Sequence, residues 1–361
     1  RHNIILGGNS MKKFAMIGCG NIGAYHLEHL AQFGDIELAG FCDVVLSRAE
    51  GFAQKAGRGE AFADYRAMFG AVKPDAVFLC IPPNAHGVIE SEAIARGIHM
   101  FVEKPVAIDL ALAKRIGAAI EAKGLISAVG FQCRYDNING PAKEFVAGNR
   151  IVTVQASRVG GLYAGPDWWR VRSASGGMLV DAGIHQMDMM RYLLGAEPVE
   201  VFSMGRGGFV TGEECAGYDI DDVSVTAIRF EDGAVAVMTA GCYSTNGASW
   251  DSKMTFGARD SRMEYELCRK ASLFGVGPEG AAAEAEGTVQ GDGTQRRGEN
   301  EQGIVFKNEA DFGLLCDRTF VDAVITGDPS AIRSPYADAV KSLAFVLACN
   351  KSMDTGMPVR I

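Results

Sequence analysis

The chain has 361 residues, of which 48% are hydrophobic and 22% charged, and its formal net charge is −9. The composition is typical of soluble globular proteins, and the length is typical of two domains. The negative charge argues against nucleic-acid or anionic-membrane partners, because both are bound by surfaces rich in Lys and Arg. No apolar run reaches the ~18 residues that a bilayer crossing requires.

The nine cysteines are scattered singly, and no Cys-x-x-Cys pair occurs. This pattern predicts reduced, buried thiols rather than a disulfide framework or a zinc site. Residues 1–10 precede Met11 and are interpreted as a cloning remnant, behind which no signal peptide is recognised. We therefore expect a cytoplasmic protein.

The first 131 residues alternate short apolar strands with amphipathic helices. Strands are predicted at 13–17, 36–42, 76–81, 99–102 and 126–131, with helices at 22–33, 47–56, 85–96 and 108–123. Near-continuous apolar strands separated by helices are typical of βαβ units in a parallel sheet covered on both faces. Residues 11–131 are therefore predicted to form a doubly wound α/β domain of the Rossmann type.

Beyond residue 131 the strands alternate apolar and polar side chains, which indicates a sheet with one solvated face. Such strands are predicted at 151–159, 223–230 and 234–240, the last two joined by a hairpin turn at 231–233. Helices are predicted at 179–194, 311–326 and 336–352, and a long loop at 275–303. Residues 132–361 are thus predicted to form an α/β domain with a mostly antiparallel sheet. For the closing helix of this domain there are two alternatives, packing within the domain or packing back on the first domain.

A GxGxxG motif lies between the first strand and the first helix, at Gly18, Gly20 and Gly23. Glycines in that position allow a tight turn and bring a dinucleotide pyrophosphate close to a helix N-terminus. Asp43 ends the second strand, where a carboxylate accepts hydrogen bonds from ribose hydroxyls and repels a 2′-phosphate. We therefore predict that this turn binds NAD rather than NADP. The alternative is that it is an ordinary turn beside a solvated Asp and binds no dinucleotide. Arg48 is close enough in sequence to bind a 2′-phosphate and so weaken the preference for NAD.

A second GxGxxG at 275–280 is interpreted as a chance match, because 45 glycines make the pattern common. It lies in a polar stretch without a preceding βαβ context, and Pro278 removes a backbone N–H that would hold phosphate.

Glu103-Lys104-Pro105 follows a parallel strand at its carboxyl end, where ligands bind in open α/β sheets. A lysine there can hold a substrate hydroxyl or carbonyl oxygen. The alternative is a surface salt bridge.

Asp181 and His185 are four residues apart on a predicted helix, so they would share one face, and Asp188 continues it. A His–Asp pair suits general acid–base catalysis, and His185 is interpreted as the one histidine backed by carboxylates at helical spacing. The alternative is a core histidine beside a capping Asp. No third strong ligand is recognised nearby, and no metal is predicted.

Three further positions are candidates for ligand contact. Trp168-Trp169-Arg170 precedes the same helix and would offer an aromatic face and a guanidinium to a sugar, or else pack in the core. Arg134 would face a substrate cleft or pair with Asp136. His86 would touch cofactor or simply begin a helix.

Taken together these motifs resemble the glucose-fructose oxidoreductase / inositol dehydrogenase / rhizopine-catabolism (Gfo/Idh/MocA) family. The resemblance spans Met11 to Ile361 and rests on GCGNIG at 18–23, Asp43, Ile81-Pro82-Pro83 with His86, EKP at 103–105, Trp169-Arg170, and GGMLVDAGIH at 176–185 with Asp188. It implies a Rossmann domain that binds NAD(P) and a second domain whose sheet covers the active site on one face and commonly assembles oligomers on the other. The stretch 266–310 carries no family signature.

The resemblance also implies roles for individual residues, with Lys104, Asp181 and His185 acting on the reacting carbinol. The predicted cofactor-binding residues are Gly18, Gly20, Asn21, Ile22, Gly23, Asp43, Ile81, Pro82, Asn84, His86, Glu103 and Lys104. The predicted substrate-binding residues are Trp169, Arg170 and Arg134.

The expected function is hydride transfer between NAD and a CH–OH carbon of a sugar, polyol or cyclitol, in a cytoplasmic homo-oligomer (dimer or tetramer). Two alternatives remain: a glycoside hydrolase of the same architecture that oxidises its substrate transiently through bound NAD, and a non-catalytic sugar or nucleotide sensor. Loss of the EKP lysine or of the histidine would favour the sensor, and both are present.

Overall fold

The computed structural model describes residues 11–162, 167–276, 288–289, 295–296 and 303–361. The chain divides into two compact units. Unit 1 consists of Arg1–Gly130 and Gly313–Ala339, and unit 2 of Phe131–Phe312 and Val340–Ile361. Gly313–Ala339 thus belongs with the first unit, although about 180 residues of unit 2 precede it in the chain.

Unit 1 is built on a parallel sheet of six strands in the order β3-β2-β1-β4-β5-β6. The strands are β1 (Lys12–Ile17), β2 (Ile36–Cys42), β3 (Glu60–Phe62), β4 (Ala76–Leu79), β5 (His99–Val102) and β6 (Ser127–Val129). Their apolar side chains are buried on both faces, as the near-continuous hydrophobic runs require. This strand order is that of a doubly wound dinucleotide-binding sheet, so the predicted fold class is confirmed.

The described residues of this unit form the helices α1 (Asn21–Leu30), α2 (Leu46–Ala56), α3 (Tyr65–Val72), α4 (Val88–Ala95), α5 (Leu110–Ala122) and nearly all of α9 (Phe312–Thr326). Asp64 and Asp109 cap α3 and α5 by accepting hydrogen bonds from backbone N–H groups of the first turn. β3 and α3 are absent from the sequence predictions, because a strand of three residues and a helix of eight leave little periodicity.

Unit 2 contains a sheet of nine strands in the order β16-β13-β12-β11-β7-β10-β9-β8-β17. The strands are β7 (Thr153–Gly161), β8 (Pro198–Arg206), β9 (Val223–Phe230), β10 (Val235–Ser244), β11 (Asp251–Gly257), β12 (Arg262–Glu266), β13 (Lys270–Phe274), β16 (Ile304–Lys307) and β17 (Val359–Arg360). Only β7 and β10 pair in parallel, and the remaining neighbours of this sheet are antiparallel. The mostly antiparallel sheet is therefore confirmed. Two short strands, β14 (Thr288–Val289) and β15 (Gln295–Arg296), pair separately.

The helices of unit 2 are α6 (Asn139–Gly148), α7 (Arg172–Ser175), α8 (Ile184–Leu194) and most of α10 (Tyr336–Thr355). The continuous helix predicted at 179–194 is wrong in its first turn, because Leu179–Gly183 is π-helical. In such a turn the backbone hydrogen bonds span five residues rather than four. The α-helical spacing therefore does not by itself place Asp181 and His185 on one face.

Candidate functional site

The glycine motif of unit 1 forms the turn from β1 to α1. Gly18 has φ +93°, and a Cβ there would collide with the carbonyl oxygen of Cys80. A Cβ at Gly23 would collide with the carbonyl oxygen of Gly18. A Cβ at Gly20 would meet no atom within 4 Å. Gly18 and Gly23 therefore serve close packing of strand and helix, whereas Gly20 leaves open space at the helix N-terminus.

Asp43 lies directly beside this turn, after β2. One carboxylate oxygen accepts from the N–H of Cys19 at 2.9 Å, and the other from the N–H of Val45 at 2.9 Å. Since an ionised carboxylate offers about four lone-pair sites, capacity for two further donors remains. The Arg48 guanidinium lies 4.0 Å from the carboxylate and is largely exposed. Asp43 is thus held in position by the backbone with acceptor capacity to spare.

The second glycine motif, at 275–280, falls only partly within the described residues. Gly275 follows the antiparallel strand β13 in unit 2, with φ +75°. Residues 277–280 lie outside the described ranges.

The turn after β4 leads into α4 through a short 3-10 segment, Pro83–Ala85. Ile81 and Pro82 are half-buried, Asn84 is exposed and His86 is buried. His86 Nδ1 lies 2.5 Å from Glu90 Oε1, and burial alone would raise the pKa of Glu90, but the charge of His86 lowers it. The Nε2 atom of His86 is buried and meets no hydrogen-bond partner among the described residues.

The interpretation of His185 as the one histidine backed by carboxylates at helical spacing is therefore wrong. His86 and Glu90 are four residues apart and form such a pair across the start of α4. The spacing was visible in the sequence, so this pair was open to prediction.

The EKP segment follows β5, and the Lys104–Pro105 peptide bond is cis. Glu103 is buried; its Oε1 lies 2.9 Å from His26 Nε2, and its Oε2 accepts from the N–H of Lys104 at 3.2 Å. Lys104 itself is half-buried. The Glu103 carboxylate thus faces the protein interior and also holds the backbone of Lys104.

His26 stands at the centre of a buried cluster in unit 1 that the sequence analysis missed. Its Nδ1 lies 2.8 Å from Asp317 Oδ1, and His29 Nδ1 lies 2.7 Å from Asp317 Oδ2. Burial by itself would lower the pKa of His26, but Asp317 and Glu103 raise it to about 10. A protonated imidazole between two carboxylates is the state this arrangement stabilises.

His26, His29 and Asp317 also place three donor atoms within 4.8 Å of one another. Metal binding there would require His26 to lose the proton that its two carboxylate partners stabilise. The absence of a metal from the function stays a prediction. Asp317 is 291 residues from His26 in sequence, so no spacing signal pointed to this cluster.

Asp181 and His185 of unit 2 are both half-buried. The indole N–H of Trp169 donates to Asp181 Oδ2 at 2.5 Å, and Trp169 is buried. The Phe131 ring meets His185 edge-on, with centroids 6.2 Å apart. Trp169 therefore positions the carboxylate of Asp181.

Arg134 forms a bidentate ion pair with Asp188, at 2.8 Å and 2.6 Å, and both side chains are buried. Ser342 donates to the same carboxylate at 2.5 Å. The sequence offered Asp136 as the alternative partner of Arg134, and the ion pair forms with Asp188 instead. Asp188 is thus engaged by Arg134 and does not simply continue the predicted face of Asp181 and His185. Helix α8 is thereby tied to the 3-10 turn Gln132–Tyr135.

Arg170 forms an ion pair with Asp167, and one of its guanidinium nitrogens lies 3.5 Å from the sulfur of Cys215. Arg158 on β7 was not singled out from the sequence. Burial lowers its pKa, while the neighbouring Cys242 and Asp181 oppose that shift. Arg158 therefore lies in the electrostatic environment of Asp181.

Two family models match this chain. Residues 12–131 match the model described as the oxidoreductase family with an NAD-binding Rossmann fold, and residues 142–263 match the GFO/IDH/MocA C-terminal domain. The chain belongs to the Gfo/Idh/MocA oxidoreductase family. The resemblance noted from the motifs is confirmed.

Curated relatives agree with this family assignment. The chain is 28% identical over 357 residues to myo-inositol 2-dehydrogenase of Thermotoga maritima, covering 97% of this chain and 98% of that protein. It is 29% identical to the uncharacterized oxidoreductase YrbE of Bacillus subtilis, over 62% of this chain and 65% of that protein. The second match thus spans slightly less than two thirds of the relative.

Among solved structures, GenD2 from gentamicin A biosynthesis in complex with NAD matches with a TM-score of 0.78 and 21% identity, covering 98% of both chains. At 21% identity, this structural similarity establishes the fold of the chain and nothing further. In the described part of the chain, no helix combines the length and apolar character that a bilayer crossing requires.

The residues of unit 1 fit the NAD that this Gfo/Idh/MocA family binds. The open space at Gly20 lies at the start of α1, whose first turn has no side-chain cap. Uncapped N–H groups and the helix dipole together favour a phosphate at that position. With NAD bound, Asp43 would offer its remaining lone pairs to ribose hydroxyls.

Proposed function

We propose that this Gfo/Idh/MocA family member is an NAD(H)-dependent dehydrogenase acting on a CH–OH carbon of a sugar, polyol or cyclitol. The observation that carries the proposal is the Gly18–Gly23 turn with its open position at Gly20 and the anchored Asp43 beside it. The full-length similarity to a protein named myo-inositol 2-dehydrogenase supports the substrate class. When bound, NAD accepts the hydride.

Lys104 is proposed to hold the reacting oxygen. As hydride leaves the carbon, the oxygen gains alkoxide character, which an ammonium stabilises in a water-poor site. Glu103 accepts from the Lys104 backbone and is itself bound by His26, so the lysine extends from a fixed main chain. Ile81, Pro82, Asn84 and His86 are proposed to line the cofactor from the neighbouring turn.

His185 is proposed to take the hydroxyl proton, because a neutral imidazole is a suitable base near neutral pH. Asp181 is proposed to orient that imidazole or to bind substrate hydroxyls, and its bond to Trp169 fixes its direction. Trp169 and Arg170 remain proposed substrate-binding residues. Arg134 is better placed to position α8 through Asp188 than to bind substrate directly.

The decisive experiment is a screen of sugars, inositols and keto-sugars that follows the absorbance of reduced cofactor. Net formation of NADH from one polyol class supports the proposal. Cleavage of a glycoside without net NADH would assign the hydrolase, and saturable sugar binding without turnover would assign the sensor.

The base is tested with His185→Ala on the best substrate. We expect kcat to fall roughly 10²–10⁴-fold and the acidic limb of the pH–rate profile for oxidation to disappear. His99→Asn is the matched control, because His99 accepts a backbone hydrogen bond from Ile126 in unit 1. If His185→Ala keeps the acidic limb at the same pH, the proton goes elsewhere, with Lys104 the next candidate.

We further propose a homo-oligomer in the cytoplasm. An apolar sheet face of unit 2 supports the first part, since Phe202, Met204, Val225 and Val237 are all exposed on strands β8 to β10. None of the nine cysteines, all within the described ranges, is in a disulfide, which supports a reducing compartment.

A further inference from the structure

Two cysteine sulfurs meet in unit 2. Cys133 lies in the 3-10 turn Gln132–Tyr135, and Cys268 lies in the turn that joins β12 to β13. The Cys268 thiol points at the sulfur of Cys133, and the two Sγ atoms are 2.7 Å apart. A disulfide needs 2.03–2.05 Å between its sulfurs, so a small approach would bring this pair to bonding distance.

Contacts that do not involve sulfur hold both turns in place. Asn139 donates its side-chain amide to the carbonyl oxygen of Cys133 at 2.8 Å, and it accepts from the Tyr265 hydroxyl at 2.7 Å. Tyr265 belongs to β12, three residues before Cys268. Asn139 therefore links the two cysteine-bearing segments, and their proximity follows from the fold.

The Cys268 turn is closed by its own backbone. The N–H of Arg269 donates to the carbonyl oxygen of Glu266 at 3.0 Å, and Cys268 has φ +57°. A non-glycine residue with positive φ is uncommon and is held there by its surroundings. This conformation is part of what directs the thiol toward Cys133.

Exposure separates Cys268 from the other cysteines. Cys268 is half-buried, whereas the other eight cysteines are buried. A small oxidant or a thiol reagent therefore reaches this pair through Cys268.

We propose that Cys133 and Cys268 form a reversible disulfide when the protein meets a peroxide, which makes the pair a redox modification site. Two S–H bonds and the O–O bond of hydrogen peroxide break, and one S–S bond forms. The two thiols lose two electrons and two protons in total. The peroxide oxygens take both and leave as two molecules of water. A dithiol reductant reverses the change by exchange.

The local chemistry sets the pace of this oxidation. The hydrogen bond to Cys133 raises the pKa of Cys268, and burial raises it further. Because the thiolate is the nucleophile, this shift slows the oxidation relative to that of an unperturbed cysteine. Once formed, the bond would join residues 135 positions apart, which restricts the unfolded chain strongly.

The test uses the full chain, first reduced and then treated under native conditions with hydrogen peroxide. Remaining thiols are blocked with N-ethylmaleimide, and the protein is digested with trypsin without reductant. Trypsin releases Cys133 in peptide 124–134 and Cys268 in peptide 263–269, each with a single cysteine. We expect these two peptides as one linked species, lighter by two hydrogen atoms than their sum and separated again by dithiothreitol.

Two variants sharpen the result. Cys268→Ser should abolish the linked species and leave Cys133 alkylated. Cys349→Ser should keep it, because Cys349 is buried in unit 2 and donates within its own helix to the carbonyl oxygen of Phe345. The oxidised parent should also unfold at a temperature several degrees higher than the reduced parent, and Cys268→Ser should lose that difference.

Two outcomes would contradict the proposed disulfide. The proposal is overturned if native, peroxide-treated protein yields both peptides alkylated or over-oxidised but unlinked. It is also overturned if the linked species appears only after unfolding in urea, because the fold would then not bring the thiols together. Neither outcome depends on whether the chain is a dehydrogenase.

Discussion

Asp43 is held in position by the backbone and keeps acceptor capacity for the ribose hydroxyls that we propose it binds. Its two oxygens accept from Cys19 and Val45. Replacing it with Ala removes both the acceptor for ribose hydroxyls and the charge that repels a 2′-phosphate. We expect the ratio of kcat/KM for NAD to that for NADP to fall roughly 10- to 100-fold, the equivalent of a lost hydrogen bond to a charged group.

The control for Asp43→Ala is Asp64→Ala, which removes the cap of α3 in the same unit without touching the glycine turn. It should lower stability slightly and leave the cofactor ratio unchanged. Equal or better turnover of the parent with NADP would contradict the assigned role of Asp43.

Lys104 is the residue whose charge matters most to the proposed chemistry. Lys104→Met keeps much of the side-chain length and removes the ammonium. We expect kcat to fall roughly 10²–10³-fold, as for other lost stabilisers of a developing oxyanion, with NAD affinity nearly unchanged by titration. Lys114→Met on the exposed face of α5 is the matched control. If Lys104→Met turns over substrate as fast as the parent, Lys104 does not stabilise the reacting oxygen and has only a structural role.

At the scale of elements, the cluster around His26 joins α1, the end of β5 and α9. His26 belongs to α1, Glu103 follows β5 and Asp317 belongs to α9, and all three side chains are buried. Replacing His26 takes a buried cationic partner away from both Glu103 and Asp317. We expect His26→Gln to lower the free energy of unfolding by about 3–5 kcal/mol at neutral pH.

The same cluster predicts a pH dependence of stability. The pKa of His26 is raised to about 10 in the folded state, above its ordinary value of about 6.5. Its contribution to stability is therefore complete below about pH 6.5 and is lost as the pH rises through about 10. Urea unfolding should show the gap between parent and His26→Gln narrowing over that range. His99→Gln is the control, and a gap independent of pH would contradict a protonated His26.

The helices and strands differ in how well the sequence predicts them. The boundaries of β2 and β5 were predicted to the residue, because both are apolar runs bounded by turn residues. For the π-helical turn Leu179–Gly183 the sequence predicts α-helix, since hydrophobic spacing does not distinguish one widened turn. That difference bears directly on the relation between Asp181 and His185.

At the scale of the whole molecule, the large sheet of unit 2 exposes an apolar face. Met204, Val225 and Thr239 lie side by side on neighbouring strands, as do Phe202, Ala227 and Val237. Met204 is 63% exposed and Val225 41%. Contiguous apolar surface of this kind is typical of a protein interface, and we propose that a second copy of the chain covers it.

Light scattering on the eluting protein tests this assignment. The parent should have at least twice the mass of the chain, and Val225→Glu should shift it toward the monomer. Val88→Glu, an equally conspicuous exposed valine on α4 in unit 1, should leave the mass unchanged. A monomeric parent at micromolar concentration would refute the interface.

The sequence by itself determined the fold class, the cofactor turn and the family, because these depend on local order: an apolar strand, then glycines, then a helix, then Asp43. Only the tertiary structure decided the partners of buried charges. Asp317 binds His26 from 291 positions away in the sequence, and Cys268 contacts Cys133 from 135 positions away. Arg134 pairs with Asp188, although Asp136 is nearer to it in sequence. The reason is physical: periodicity reports which face of an element is buried, whereas a buried polar group must find whichever partner the packed chain brings within hydrogen-bond distance.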